Sequence, residues 1–171
     1  EESPELALQT SIRFSKEAGA MAVKLEGAHL ETVKKLVNSG IPVMGHLGLT
    51  PQSMHQLGGY KVQGRTDGDV ILEAAKALEA AGAFAIVLEL VPAELAARIT
   101  AALKIPTVGI GAGVNCDAQV LVWTDLMGIT KKAPKLAKAY RNLRAEMVAA
   151  AGEFADDVRQ GQFPTEAQSF N

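Results

Sequence analysis

The sequence AGAMAVKLE at residues 18–26 returns, without a gap, as AGAFAIVLE at residues 81–89. In both copies a turn of small residues leads into a short apolar run that ends in a glutamate. Short, nearly continuous apolar runs are typical of parallel strands that are buried on both faces of the sheet. The repeat therefore predicts a chain built from successive strand and helix units.

Other short apolar stretches extend this pattern. The predicted strands are residues 22–25, 43–46, 85–88, 107–110 and 119–123. Amphipathic helices are predicted between them, because apolar residues such as Val33, Leu36 and Val37 recur at helical spacing. A long helix is predicted near the end of the chain. Glycine accepts the left-handed conformation at a helix end, which predicts helix ends at Gly19, Gly40 and Gly82.

Alternating strands and helices fit either an open doubly wound sheet or a (β/α)8 barrel. A barrel needs eight strands and typically about 250 residues. This chain has 171 residues, begins on a predicted helix and offers five convincing strands. We therefore expect one α/β domain over residues 1–171, the back part of a barrel that lacks its first strands.

Composition narrows the class of protein. The chain is 48% hydrophobic with a net charge of −2, and Cys116 is its single cysteine, so an intrachain disulfide is excluded. No charged leader or long apolar segment is evident, which favours a cytoplasmic protein without a membrane partner. No nucleic-acid partner is expected. Four lysines near one another are interpreted as a solvated surface: Lys131, Lys132, Lys135 and Lys138.

The carboxyl ends of parallel strands are where ligands bind in both architectures. Glu89 follows an apolar strand, and apolar surroundings favour proton uptake, so we interpret it as a general base and not as a salt-bridged rim carboxylate. Glu26 precedes Gly27 and is expected to be solvated and ionised, which suits a metal ligand better than a base. Lys24 alternates with Glu26 and so shares its face of the strand.

His46 alone would more often be a core histidine than a ligand. It precedes a long glycine-rich loop, GHLGLTPQS at residues 45–53 and GGYKVQGR at residues 58–65. Loops of this length are usually functional or disordered, and the composition here favours function. The turn GIGAG at residues 109–113 could cradle an anion, but a tight strand exit is the favoured interpretation. Three large apolar residues are interpreted as core: Met44, Trp123 and Met127.

This loop closely resembles the signature segment of the ketopantoate hydroxymethyltransferase family, which transfers a one-carbon unit from a folate to a branched 2-oxo acid. Further matches are VKLEG at 23–27, LE and VP at 88–89 and 91–92, the 109–113 turn, Asp117 with Gln119, and SF at 169–170. The resemblance implies a (β/α)8 TIM barrel of the phosphoenolpyruvate/pyruvate type, of which this chain covers about the last five units.

The resemblance also implies roles for residues. The family's lysine that contacts the oxo acid corresponds to Lys24, its Mg²⁺-binding glutamate to Glu26 and its proton acceptor to Glu89; a pocket-lining histidine corresponds to His46. The implied substrates are 3-methyl-2-oxobutanoate and, as one-carbon donor, 5,10-methylenetetrahydrofolate, which give ketopantoate for pantothenate biosynthesis. The implied assembly is a homo-oligomer, a decamer in the family.

Some departures leave alternatives open. The family's metal-binding aspartates lie in opening segments that this chain lacks, so the chain alone is expected to hold Mg²⁺ poorly and to fold properly only with that segment or within an oligomer. Ala28 and Ala118 stand where the family often has glycine, and Gln168 where it often has histidine. The alternatives are an inactive half-barrel or assembly module, and another enzyme of the superfamily that forms or cleaves carbon-carbon bonds beside an oxo acid.

Overall fold

The computed structural model describes residues 3–170, and its contacts divide the chain into two compact units that meet between Val120 and Leu121 in sequence. The elements of the first unit, in chain order, are α1 (Pro4–Ala18), β1 (Val23–Glu26), α2 (Leu30–Asn38), β2 (Val43–Gly48), a 3₁₀ turn (Pro51–Ser53), α3 (Gly68–Ala80), β3 (Ala85–Glu89), α4 (Ala93–Ala102), β4 (Thr107–Ile110) and β5 (Ala118–Gln119). The expectation of a single domain over residues 1–171 stays a prediction.

The five strands of the described residues form one sheet, in which each strand pairs in parallel with the next along the chain. A doubly wound sheet reverses its strand order part-way, whereas a (β/α) barrel winds in one direction. The sequential order β1-β2-β3-β4-β5 is the winding of a barrel. The chain therefore covers part of a barrel, as the sequence predicts.

The two faces of this sheet have different surroundings. Alternate strand residues such as Leu25, Val43 and Ile86 belong to the hydrophobic core, together with residues of α2, α3 and α4. Val33 and Leu36 of α2 are fully buried in the same core. The strand residues between them, which point to the opposite face, are absent from that cluster within residues 3–170. The helices thus cover one face, as on the outside of a barrel.

Local signals explain where the helices begin and end. The Ser3 side chain accepts a hydrogen bond from the Leu6 N–H, and Pro4 occupies the first turn of α1. Gly19 takes the left-handed conformation after α1, with φ of 69°. Gly40 and Gly82 follow α2 and α3 with φ of 80° and 99°. The three predicted helix ends are confirmed.

The predicted fifth strand is wrong in its bounds. The strand is only Ala118–Gln119, and Trp123 begins the short helix α5 (Trp123–Leu126) in the second unit. Trp123 is 61% exposed, so its interpretation as core is also wrong. The apolar run before Trp123 resembles a strand, but Asp125 in the helical turn and Gly128 after it, with φ of 68°, favour a helical turn.

The second unit also contains the long helix predicted near the end of the chain. This helix, α6 (Leu143–Gln160), begins where the Asn142 side chain accepts a hydrogen bond from the Ala145 N–H, and it ends at Gly161. A 3₁₀ turn (Glu166–Gln168) follows it. Within residues 3–170, none of the helices combines the length and apolar character needed to cross a membrane.

Candidate active site

The parallel register brings four predicted site residues together at the carboxyl ends of β1, β2 and β3. Glu26 lies opposite His46, and Glu89 lies opposite Gly48. Lys24 precedes Glu26 by two residues and shares its face. Since paired residues of neighbouring strands point to the same face, all four side chains lie on the face that the helices leave uncovered. We call these four residues the polar cluster.

Glu26 is held by two donors of different kinds. Its Oε1 lies 3.4 Å from the Lys24 Nζ, and its Oε2 accepts a hydrogen bond of 2.9 Å from the main-chain N–H of Gln52. Its side chain is only 9% exposed. The expectation of a solvated Glu26 is therefore wrong, because the loop after β2 folds back over β1 and replaces water with a peptide N–H.

His46 lies between the two carboxylates of the cluster. Its Nδ1 is 3.2 Å from the Lys24 Nζ and 3.7 Å from the Glu26 Oε1, and its Nε2 is 3.1 Å from the Glu89 Oε2. The side chain is 4% exposed. Despite the short distance to Glu89, the buried Nε2 has no partner in hydrogen-bond geometry among the described residues. His46 is thus both buried and part of the polar cluster.

Glu89 ends β3, and its surroundings are mostly protein. Its side chain is 14% exposed, and its main-chain carbonyl accepts a hydrogen bond of 2.8 Å from the Leu49 N–H. The next residue, Leu90, has a φ of 48°, a conformation that is rare for a leucine. The Leu90 carbonyl accepts a hydrogen bond of 2.8 Å from the Gln63 N–H, so the long loop is bonded to the end of β3 at two points.

The long loop is packed as well as bonded. Leu49 and Thr50 are buried at its start. At its far end, a Cβ built on Gly64 would lie 2.6 Å from Leu95 and 2.8 Å from Ile71, which shows how closely the backbone approaches both helices. These contacts show that the loop is ordered, and its functional role stays a prediction. The main-chain donor of Gln52 was not foreseen from the sequence, since a peptide N–H carries no side-chain signal.

Hydrogen bonds from nearby residues hold the glycine-rich turn after β4 and the segment that follows it. The Gln119 Nε2 donates a hydrogen bond of 2.9 Å to the Gly113 carbonyl. Asp117 accepts hydrogen bonds from the main-chain N–H of Thr107, at 2.8 Å, and from its hydroxyl, at 3.1 Å. The Thr107 donors, the N–H above all, lower the pKa of Asp117. These contacts support the interpretation of the turn as a strand exit.

Comparison with known proteins decides the family. The sequence profile described as "Ketopantoate hydroxymethyltransferase" matches residues 1–166. The chain belongs to the ketopantoate hydroxymethyltransferase family. It is 59% identical to the 3-methyl-2-oxobutanoate hydroxymethyltransferase of Acidothermus cellulolyticus, over 98% of this chain and 64% of that protein. It is 57% identical to the enzyme of the same name from Frankia alni, over 98% of this chain and 56% of that protein.

The resemblance based on the sequence motifs is thus confirmed. The chain spans 64%, 56% and 59% of the length of three relatives that carry this name, the third from Saccharopolyspora erythraea. The activity of those whole proteins is therefore treated below as a proposal for this one.

Within this part of the ketopantoate hydroxymethyltransferase fold, Glu26 is the residue that could bind a divalent cation. Magnesium takes oxygen ligands and is commonly bound by one or two carboxylates with water and substrate completing the set. Glu26 supplies such oxygens, and each keeps a lone pair beyond its contact with Lys24 or Gln52. Residues 3–170 contain no group of three His, Cys, Asp or Glu side chains arranged to hold a metal. The described residues therefore fit magnesium as one part of a ligand set.

A separate cleft of about 360 Å³ lies beside the first turns of α3 and α4. Its lining includes Arg65, Asp69 and Arg98, and none of the polar cluster. Arg98 is already paired with Asp69 at 2.6 Å, and both side chains are largely exposed. Titratable groups in close mutual contact mark an active site better than cleft size alone. We therefore place the candidate active site of this family member at the polar cluster.

Proposed function

We propose that the protein containing this chain transfers a hydroxymethyl group from 5,10-methylenetetrahydrofolate to 3-methyl-2-oxobutanoate, which gives ketopantoate for pantothenate biosynthesis. The observation that carries the proposal is the convergence of Lys24, Glu26, His46 and Glu89 at three adjacent strand ends, in a chain of this family. Two carboxylates, an imidazole and an ammonium group within a few ångströms suit proton removal beside a carbonyl.

Glu89 is proposed as the base. Its carboxylate takes the proton from carbon 3 of the oxo acid, and the carbon nucleophile that results forms a bond to the one-carbon unit. Both carbon–nitrogen bonds that hold this unit to the folate break, water supplies the hydroxyl oxygen of ketopantoate, and tetrahydrofolate leaves. Its low exposure, 14%, keeps water from competing for the carboxylate. Two hydrogen bonds of the long loop to Glu89 and Leu90 fix the main chain beneath it. A positioned base typically contributes on the order of a hundredfold to ten-thousandfold to the rate.

Lys24 and Glu26 are proposed to bind the oxo acid and Mg²⁺ respectively. The Lys24 side chain is 42% exposed and so keeps donors free for the carboxylate and keto oxygens of a substrate. Glu26 is proposed as one oxygen ligand of Mg²⁺, whose Lewis acidity, when the ion is bound, favours loss of a proton beside the carbonyl. His46, proposed to line the substrate pocket, completes the set of four.

The test is proton exchange without folate. The full-length protein is incubated with 3-methyl-2-oxobutanoate and Mg²⁺ in D₂O, and loss of the carbon 3 proton is followed by NMR. Catalysed exchange, followed by ketopantoate formation once the folate is added, is the expected result. A folded protein that catalyses neither step would reject the proposal and favour an inactive half-barrel or assembly module of the same fold. Exchange without any transfer would favour another 2-oxo-acid enzyme of the superfamily.

The proposal includes a cytoplasmic homo-oligomer, which the family suggests to be a decamer. β1 pairs with β2 along one edge, and no strand pairs with its other edge within residues 3–170. In a closed barrel the strand before β1 would pair with this edge, so the oligomer is proposed from the family resemblance and not from the open edge. Light scattering coupled to size-exclusion chromatography of the full-length protein gives the number of subunits, and a monomer would contradict the oligomer.

A further inference from the structure

His46 connects two groups that the proposed mechanism treats separately. Its Nδ1 lies 3.2 Å from the ammonium nitrogen of Lys24, and its Nε2 lies 3.1 Å from a carboxylate oxygen of Glu89. The imidazole ring is 4% exposed, so protein groups and not bulk water determine what each ring nitrogen contacts. The ring therefore spans the distance between a cation on β1 and the proposed base on β3.

The contact with Lys24 determines which ring nitrogen carries the proton. An ammonium group has donors and no acceptor, so at 3.2 Å the Nδ1 must present its lone pair to Lys24. In a neutral imidazole the other nitrogen then carries the hydrogen. The Nε2 that carries this hydrogen lies 3.1 Å from the Glu89 Oε2, and an oxygen of an ionised carboxylate only accepts hydrogen bonds. Lys24 thereby selects the tautomer that is complementary to an ionised Glu89.

The Nε2 of His46 lacks a hydrogen-bond partner, although the carboxylate of Glu89 lies beside it. It is fully buried and has no partner in hydrogen-bond geometry among residues 3–170. A buried N–H without an acceptor is unfavourable, and native structures rarely keep one. Hydrogen bonds in active sites are often poorly aligned without substrate and become well aligned when it binds. The Glu89 Oε2, at 3.1 Å, is close enough to accept this bond once the two groups are aligned.

We propose that His46 is a positioning residue: its Nε2–H, in the tautomer selected by Lys24, holds one oxygen of Glu89 so that the other oxygen faces the substrate. The inference rests on the proposed function of Glu89 as the base, and it gives His46 a role beyond lining the pocket. Lys24, His46 and Glu89 then form a chain of polar contacts that ends at the proton-accepting carboxylate.

Two variants separate this role from a substrate contact. The amide nitrogen of glutamine in His46→Gln reaches about as far as the Nε2, whereas the amide of asparagine in His46→Asn reaches only about as far as the Nδ1. A hydrogen bond to a charged group is worth about 1.5–3 kcal/mol, a factor of roughly ten to a hundred in rate. We expect His46→Asn to lower kcat of the exchange reaction by that factor with little change in KM, and His46→Gln to recover most of it.

The opposite pattern would overturn the inference. Equal losses of kcat in both variants, or a rise in KM for the oxo acid with kcat unchanged, would make His46 a structural or substrate-binding residue. Circular dichroism and thermal melting of both variants establish that they are folded. If the wild-type protein itself catalyses no exchange, the proposed function fails.

A spectroscopic measurement tests the tautomer without reference to activity. ¹⁵N NMR of the full-length protein distinguishes protonated from unprotonated ring nitrogens, and the His46 signals are assigned by their loss in His46→Gln. We expect Nε2 to carry the proton and Nδ1 to be unprotonated. A proton on Nδ1 in the wild-type protein would refute the inference whatever the enzyme activity. Lys24→Met should weaken the preference, because it removes the donor to Nδ1.

Discussion

A Cβ built on Gly48 would lie 2.1 Å from the main-chain carbonyl oxygen of Glu89, far inside any normal contact. Gly48 also has a φ of 91°, which side chains other than hydrogen rarely allow. We expect Gly48→Ala to lower the free energy of unfolding by about 1–3 kcal/mol or more. It should also slow the proposed exchange reaction, because the clash displaces Glu89. Chemical denaturation and the exchange assay measure the two effects.

Gly40 provides the matched control for that substitution. Its φ of 80° is similar, but a Cβ there would meet no heavy atom of the described residues within 4 Å. Gly40→Ala should therefore show only the strain of a positive φ, about 1–2 kcal/mol, without loss of exchange activity. Equal effects of the two alanines on exchange would mean that the close approach to Glu89 does not matter.

Replacing Glu89, the proposed base, should slow proton exchange without weakening the binding of the oxo acid. We expect Glu89→Gln to keep the fold and the affinity for the oxo acid while kcat for exchange at carbon 3 falls by roughly a hundredfold to ten-thousandfold. The amide keeps the shape of the carboxylate but takes up no proton. Glu94→Gln, an exposed glutamate at the start of α4, is the control and should be neutral. Full activity of a folded Glu89→Gln variant would remove Glu89 from the mechanism.

The proposed metal ligand predicts a change in magnesium dependence. Glu26→Gln should raise the Mg²⁺ concentration needed for half-maximal activity by at least about tenfold, since loss of even an outer partner of a metal ligand costs that much. The titration is performed at saturating oxo acid. The exposed Glu31 at the start of α2 supplies the control, Glu31→Gln. An unchanged Mg²⁺ requirement in Glu26→Gln would show that Glu26 does not hold the ion.

Asp117 predicts a pH dependence of stability. Hydrogen bonds from the Thr107 N–H and hydroxyl lower the pKa of this carboxyl below its usual value of 3.8. The pKa of Asp117 is lower in the folded state than in the unfolded state. The stabilisation is therefore present at pH values above the unfolded-state pKa, and it is lost as the pH falls through the folded-state pKa. We expect wild-type protein to exceed Asp117→Asn in Tm at pH 6. The difference should shrink below pH about 4, and a constant difference down to pH 2 would contradict the assignment.

The convergence of the four residues of the polar cluster could be predicted from the sequence because their position depends on simple periodicity. Each lies at or near the end of a short apolar strand, and parallel strands align those ends. The predicted strand 107–110 matches Thr107–Ile110, and the prediction for β3 stops one residue before Glu89. β2 extends two residues beyond its predicted end at His46, because Leu47 and Gly48 continue to pair with β3.

The features that the sequence does not predict depend on main-chain hydrogen bonds, which leave no pattern in the side chains. The main-chain N–H of Gln52 bonds to Glu26 only because the loop folds back, so the sequence does not predict the low exposure of Glu26. The end of the sheet also differs from the prediction. The apolar run before Trp123 has the composition of a strand, but β5 has a partner on one side, β4, within residues 3–170, and its pairing stops at Gln119.

The alternation of side chains along the strands separates the residues that keep this protein folded from its proposed active site. Leu25, Leu47 and Leu88 contribute to the core beneath the helices, while the polar cluster occupies the other face of the same strands. Protein engineers could therefore repack the helix side for heat resistance and leave the polar cluster unchanged. Conversely, new substrate preferences could be selected on the polar face without rebuilding the interior that supports it.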